Sequence, residues 1–93
     1  MTQPVTRWRR AEELAAVESP NRFAILDLTH LDRPPVILAD TAAAIWRHLV
    51  EPVSETDLTK MLAEEYAVTP AEVVPAVADF LARLGELGLV LAE

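Results

Sequence analysis

The first forty residues alternate short apolar runs with polar, turn-forming segments. Leu14 to Val17 and Phe23 to Leu28 are apolar-rich runs, separated by residues 18–22, in which Pro20 and Asn21 suit a tight connection. A second polar break leads into the apolar run Val36-Ile37-Leu38-Ala39. The pattern predicts a β-hairpin followed by a third strand.

From Asp40 onward the apolar spacing changes from two residues to 3.6, which indicates helix. Asp40 or Thr41 is available as the N-cap of a first helix that ends near Pro52. Its apolar stripe is Ala42, Ile45, Trp46, Leu49 and Val50. Ser54 with Asp57 is a weak capping box for a second helix. That helix repeats apolar side chains at Leu58, Met61, Leu62 and Tyr66.

Thr69-Pro70-Ala71-Glu72 is a stronger helix start, with a threonine cap, proline at the first helical position and glutamate at the third. The third helix should run to Gly85 or Gly88. Pro75 lies inside it, so we expect a kink there or a later start, because proline removes a main-chain donor. The fold class predicted for residues 1–93 is a single α+β domain of winged-helix-like order, with about three antiparallel strands followed by three helices.

Composition and charge narrow the function. The chain has 93 residues, 52% of them hydrophobic, and no cysteine, which excludes disulfides, zinc-thiolate sites and thiol nucleophiles. The formal net charge is −7, and all of the excess lies in residues 51–93, where nine acids oppose Lys60 and Arg83. Such a field repels phosphate backbones. No apolar run approaches the roughly 20 residues of a membrane helix, so we expect a cytoplasmic protein.

Candidate catalytic residues are few. His30 lies in a predicted loop and His48 on the first helix, and neither belongs to a metal-ligand spacing or a nucleophile motif. Gly85 and Gly88 are the only glycines, which excludes a glycine-rich phosphate loop. The stretch from Thr56 to Thr59 lacks the serine that an acyl carrier protein needs. We therefore expect a protein that is not an enzyme and binds no cofactor or metal.

The segment Arg7-Trp8-Arg9-Arg10 has no clear secondary-structure pattern and admits two interpretations. It could be a nucleic-acid arm with a stacking aromatic, or a solvated segment that pairs with Glu12 or Glu13. The element order also permits a winged-helix DNA-binding transcription factor, although Arg83 is the only cation of the third helix. The net acidic charge of the chain favours a solvated segment over a nucleic-acid arm for residues 7–10.

Two features favour a binding surface. The uncharged run Val36 to Ala39 is the last strand before the helices, which makes it a candidate sheet edge; a central or covered strand is the alternative. The third helix also has a wide apolar face, because Val74 and Leu81 flank its main stripe and line a groove or pack on the other helices. That stripe is Val73, Val77, Phe80, Leu84 and Leu87. A strand edge beside a groove is the geometry of β-augmentation.

The run from Val36 to Trp46 resembles the signature of the PqqD-like family, in which an apolar strand and a polar cap precede Thr-Ala-Ala-x-Ile-Trp. Leu58 to Tyr66, Thr69 to Val73 and Phe80 to Val90 are similar to later elements of that family in the same order. The resemblance covers about residues 13–91.

The resemblance implies a RiPP recognition element. Such a domain is a peptide chaperone for natural product biosynthesis and binds the leader peptides of ribosomally made, post-translationally modified peptides, for example lasso or radical SAM-modified peptides. Its partners would be the leader of a precursor peptide and a peptide-modifying enzyme or protease, with no nucleic acid and no membrane. An open edge also predicts a weak homodimer. By carry-over the peptide-binding residues are Val36, Ile37, Leu38, Ala39, Val73, Val74, Val77, Phe80, Leu81 and Leu84.

Overall fold

The computed structural model describes residues 5–93, so residues 1–4 of the predicted domain lie outside the described residues. The strands are β1 (Arg7–Arg10), β2 (Leu14–Ser19), β3 (Arg22–Asp27), β4 (Val36–Ala39), β5 (Val53–Ser54) and β6 (Val90–Ala92). The helices are α1 (Thr41–His48), α2 (Glu55–Tyr66) and α3 (Pro70–Glu86). The α+β class, with three antiparallel strands before three helices, is confirmed, and further short strands are added to it.

One sheet has the order β2-β3-β4 and is antiparallel throughout. The turn between β2 and β3 is Pro20-Asn21, where proline fixes a negative φ and Asn21 takes a left-handed φ of 59°. Side chains alternate between the two faces of a strand. The inner face accordingly carries buried Phe23, Ile25 and Leu38.

The second sheet has the order β5-β1-β6, and the sequence pattern did not predict it. Trp8 of β1 lies opposite Val53 on one side and Ala92 on the other. Strands of two to four residues show no usable period, and their partners lie more than forty residues away in the chain. Val90, which lies beyond the predicted end of the third helix, begins β6.

The predicted helix starts are confirmed. Ser54 accepts a hydrogen bond from the Asp57 N–H at 3.1 Å through its Oγ. Thr69 and Glu72 form a capping box, in which the Thr69 N–H donates to Glu72 Oε2 at 2.8 Å. These bonds satisfy main-chain donors that the first helical turn leaves free.

Two helix boundaries differ from the expectation. α1 ends at His48, well before Pro52, so Val50 is not part of its stripe and is 75% exposed. α3 begins at Pro70 and continues through Pro75, so of the two alternatives expected at Pro75, a kink or a later start, the later start is wrong. Because proline has no N–H, the main-chain carbonyl four residues before Pro75 receives no helical hydrogen bond. Pro75 is exposed, so water can bond to that carbonyl instead.

The core lies between the three helices and the inner face of the β2-β3-β4 sheet. Trp46 is its largest fully buried side chain, at 1% exposure, and brings α1 against the other elements. The remaining buried core residues of the helices and of the segment that follows them are Ala43, Ala44, Ile45, Leu49, Leu58, Leu62, Ala63, Val73, Val77, Phe80, Leu81, Leu84, Leu89 and Val90. Because α3 supplies five of these, its core face is fixed and only its flanks are free for binding.

Candidate peptide-binding site

β4 is an edge of its sheet. It pairs with β3 through the register Phe23 opposite Leu38 and Ile25 opposite Val36. Within residues 5–93 no strand pairs with its other side. The sequence left open whether this run is an edge or a central strand, and the structure shows that it is an edge.

The hydrogen-bond pattern fixes which residues of β4 face the open side. Asp40, just after the strand, donates its N–H to the carbonyl oxygen of Asn21 at 3.1 Å, toward the β3 side. Main-chain groups alternate in direction along an antiparallel strand. Leu38 and Val36 therefore also face β3, while the N–H and C=O groups of Ile37 and Ala39 point outward.

A groove of about 350 Å³ lies between this edge and α3. Val36 to Ala39 form one wall, and the floor includes Ala42 and Ile45 of α1. The α3 wall is formed by Ala76, Asp79, Phe80, Arg83, Leu84 and Leu87. A free main-chain edge and an apolar wall thus face the same groove.

The structure places the ten predicted site residues in different environments. All four strand residues line the groove, as do Phe80 and Leu84 of α3. Val73, Val77 and Leu81 lie in the core, and Val73 also borders a surface depression that adjoins the groove. Val74 is 48% exposed and lines a separate surface depression with Thr56 and Lys60 of α2.

The sequence analysis looked for the groove on the flank of α3 that carries Val74 and Leu81. At about 100° per residue, Ala76 and Arg83 lie on the opposite flank of the core stripe, on the side of Leu87, which the pattern had assigned to the stripe, and none of the three was among the predicted site residues. Thr41, Ala42, Ile45 and Asp79 were missed as well. The available signal was the helical spacing of Ala76, Arg83 and Leu87. Because Ala76 is small and Arg83 is charged, a search for large apolar residues at that spacing does not find this flank.

Comparison with known protein families shows which family the chain is similar to. The family model described as coenzyme PQQ synthesis protein D (PqqD) matches residues 30–90 of the chain. The chain belongs to the PqqD family. The match begins just before β4 and includes all three helices, so it covers both walls of the groove. No curated protein and no solved structure matches the chain.

Proteins of the PqqD family, which are RiPP recognition elements, bind precursor peptides and act with peptide-modifying enzymes. They are generally not catalytic themselves. Both statements describe the family to which this chain belongs.

The groove continues at both of its ends. Beside Val36 it meets an apolar cavity of about 220 Å³, whose walls include Ile25, Pro34, Pro35, Leu87 and Leu89. At the other end Thr41 and Ala76 are shared with a shallow depression that includes Tyr66, Val68 and Glu72. β4 therefore runs antiparallel to α3, from Leu87 toward Glu72.

The two histidines lie outside this groove. His30 Nδ1 is 3.1 Å from Asp27 Oδ2, and His48 Nε2 is 2.9 Å from Glu65 Oε1. Hydrogen bonds from Thr29, through its hydroxyl and its N–H, lower the pKa of Asp27 to about 2. The described residues contain no group of three or more metal-ligating side chains. In the same part of the chain no helix is long and apolar enough to cross a membrane.

The basic segment of β1 is engaged within the protein. Arg9 forms an ion pair with Glu93 at 3.2 Å, and not with the expected Glu12 or Glu13. Arg10 stacks on the Trp46 ring, 4.6 Å from its centroid, and donates to the Trp46 carbonyl oxygen. Burial lowers the pKa of the Arg10 guanidinium from its usual value. Two of the three cations of the proposed nucleic-acid arm therefore have internal partners.

Proposed function

We propose that this protein binds the leader segment of a ribosomally made precursor peptide as an added strand on β4. It then holds the bound peptide for a modifying enzyme or protease and performs no chemistry itself. The product would be a natural product such as a lasso peptide or a radical SAM-modified peptide. Membership of the PqqD family supports the ligand class, and the open edge of β4 supports the binding mode.

The outward main-chain groups of Ile37 and Ala39 are the observation that carries this proposal. Each residue offers one N–H donor and one C=O acceptor to a guest strand, so up to four main-chain hydrogen bonds are available. A hydrogen bond of this kind contributes about 0.5–1.5 kcal/mol after exchange with water. Main-chain bonding gives affinity without fixing the guest sequence, which suits a domain that recognises a peptide backbone.

The side chains of the groove walls supply the second contribution. Ile37 is 58% exposed on the strand side and Leu87 is 40% exposed at the end of α3. A guest strand that covers them removes apolar surface from water, at roughly 25 cal/mol per Å². The deeper residues Phe80 and Leu84 are already buried, so they shape the groove more than they gain contact area.

Amide hydrogen exchange tests the proposal directly. The probe is the leader half of a short precursor peptide chosen from a search of the neighbouring genes, added at saturating concentration. We expect the amides of Ile37 and Ala39 to become protected, because only they face the guest. The amides of Val36 and Leu38 already bond to β3 and serve as internal controls. Saturable binding that leaves exchange at Ile37 and Ala39 unchanged would contradict strand addition.

The open edge also leads us to expect weak self-association when no leader is present. Two copies can pair through β4, since exposed strand edges are templates for further strands. The leader occupies the same edge, so it should dissociate such a dimer. Sedimentation with and without the leader peptide measures this, and a strict monomer at high concentration removes the expectation.

A further inference from the structure

The charged side chains of the α3 wall follow an order, whereas the cavity beside the start of β4 carries one charge of each sign, Arg33 and Asp27. Asp79 and Arg83 are the charged residues of the central part of the groove. Beyond Asp79, at the Thr41 end, Glu72 adds a second negative charge. The α3 wall is therefore negative toward the end of β4 and positive toward its beginning.

Asp79 and Arg83 are free to meet a ligand. Their closest approach to each other is 3.9 Å, at the limit of an ion pair, and their side chains are 69% and 75% exposed. An exposed i,i+4 pair of this kind adds little to stability. A guest strand in the groove can thus replace this contact without a large loss.

The spacing between Asp79 and Arg83 matches the spacing between every second residue of a bound peptide strand. Residues 79 and 83 are separated by about 6 Å along the helix axis, which is the distance between residues i and i+2 of a strand, about 6.6 Å. Residues i and i+2 lie on the same face of a strand. One guest face can therefore present a charge to Asp79 and, two positions on, another to Arg83.

The sheet itself sets the guest direction. The β2-β3-β4 sheet is entirely antiparallel, and a guest that continues this pattern runs opposite to β4. Because β4 runs opposite to α3, such a guest runs in the same direction as α3. Its amino-terminal part then lies near Asp79 and its carboxy-terminal part near Arg83.

From this order we infer that Asp79 and Arg83 determine specificity: they select peptides in which a lysine or arginine stands two positions before an aspartate or glutamate. This inference rests on the proposed function and names the class of peptide that the site takes. Charges at the rim of an interface discriminate between partners more than they add affinity. The apolar groove and the main-chain edge accept many sequences, and the charge order restricts them.

The test is a selection from a display library of random ten-residue peptides against the whole protein. The parent chain is compared with the double variant Asp79→Arg and Arg83→Asp, which keeps the composition and net charge and reverses only the order. We expect the parent to enrich basic-x-acidic peptides and the variant to enrich acidic-x-basic ones. In titrations at low salt, a selected peptide and its charge-swapped version should differ by roughly 3- to 30-fold, with opposite preference in the two proteins.

The controls separate this inference from the proposed function. Asp79→Asn with Arg83→Gln should lose the charge preference without reversing it, and melts of all three proteins establish that they are folded. The same charge order selected by parent and swapped variant, or no order in either, overturns the inference. Selected peptides that bind Ile37→Pro as well as the parent overturn strand addition, whatever their charge order. Failure to select any peptide counts against both.

Discussion

Leu38 lies directly opposite Phe23 in the β3-β4 ladder, and both side chains are buried, Leu38 at 5% exposure and Phe23 at 6%. The next residue back along β4, Ile37, is 58% exposed and has its main-chain donor on the open side. Because successive side chains and main-chain groups of a strand point in opposite directions, neighbouring residues have different surroundings. Leu38 packs in the core, whereas Ile37 faces the open side of the sheet.

Proline at these two positions should have different consequences. Leu38→Pro removes a donor from the β3-β4 ladder and a buried side chain, so we expect it to destabilise the fold by roughly 2–5 kcal/mol. Ile37→Pro removes only an outward donor, which edge strands tolerate. It should keep the melting temperature near that of the parent and weaken leader binding about 2- to 13-fold, the equivalent of one main-chain bond.

Ile37→Ala is the matched control for the proline variants. It shortens the same side chain but keeps the main-chain donor, so it should bind the leader more tightly than Ile37→Pro. Calorimetric titration of each variant measures the difference. Two folded proline variants that both bind like the parent would rule out strand addition at this edge.

Val74 of α3 and Leu87, which directly follows α3, are both exposed large apolar residues but should differ in their effect on binding. Leu87 lines the groove, whereas Val74 is on the opposite flank of the helix, where the sequence analysis had expected groove residues. Leu87→Ser should weaken leader binding by about 1 kcal/mol, or roughly fivefold, because the guest covers part of its surface. Val74→Ser should leave the affinity within error, and each change should leave stability within about 0.5 kcal/mol. An equal loss of affinity in both variants contradicts the position of the groove.

Arg10 and Arg9 should contribute unequally to stability. Arg10 stacks on buried Trp46 and donates to its carbonyl oxygen, so Arg10→Ala should cost about 1–3 kcal/mol. Arg9 forms an exposed pair with Glu93, so Arg9→Ala should cost at most about 1 kcal/mol. Urea unfolding of the two variants measures the difference. Equal costs would mean that the stacked position of Arg10 adds nothing to the fold.

The lowered pKa of Asp27 predicts that the stability of the fold depends on pH in the acidic range. Its pKa of about 2 in the folded protein lies below the usual value near 3.9, because Thr29 donates two hydrogen bonds to the carboxylate. The folded state therefore favours the ionised form, and this stabilisation is present above about pH 4 and is lost as the pH falls toward 2. The stability difference between the parent and Asp27→Asn should be largest above pH 4 and shrink between pH 4 and 2. Thermal melts across that interval test this, and a difference that does not vary with pH contradicts it.

DNA binding should be absent at low salt. Arg9 and Arg10 have partners within the protein, and α3 presents Arg83 beside the acidic residues Asp79 and Glu86. An acidic surface repels the phosphate backbone. Titration with random duplex DNA at low salt should show no saturable binding in the micromolar range. Binding at that strength would favour the transcription-factor alternative.

The sequence by itself determined the order of β2, β3, β4 and the three helices, and most of their boundaries. The strand runs Leu14 to Val17 and Val36 to Ala39, and the caps at Ser54 and Thr69, depend on neighbours a few residues away, so a local pattern reports them. The run Val36 to Ala39 was recognisable as a strand for the same reason, but whether it is an edge or a central strand depended on its pairing with β3, which the sequence left open. These elements also carried the family resemblance.

The tertiary structure decided everything that depends on distant partners. The β5-β1-β6 sheet joins segments from the beginning, middle and end of the chain, which no local period reports. The choice of groove flank followed from which side of α3 packs on the core, because Leu81 was buried while Ala76, Arg83 and Leu87 were left facing β4. The outward direction of Ile37 was likewise set by the register with β3, since a shift of one residue would exchange the roles of Ile37 and Leu38.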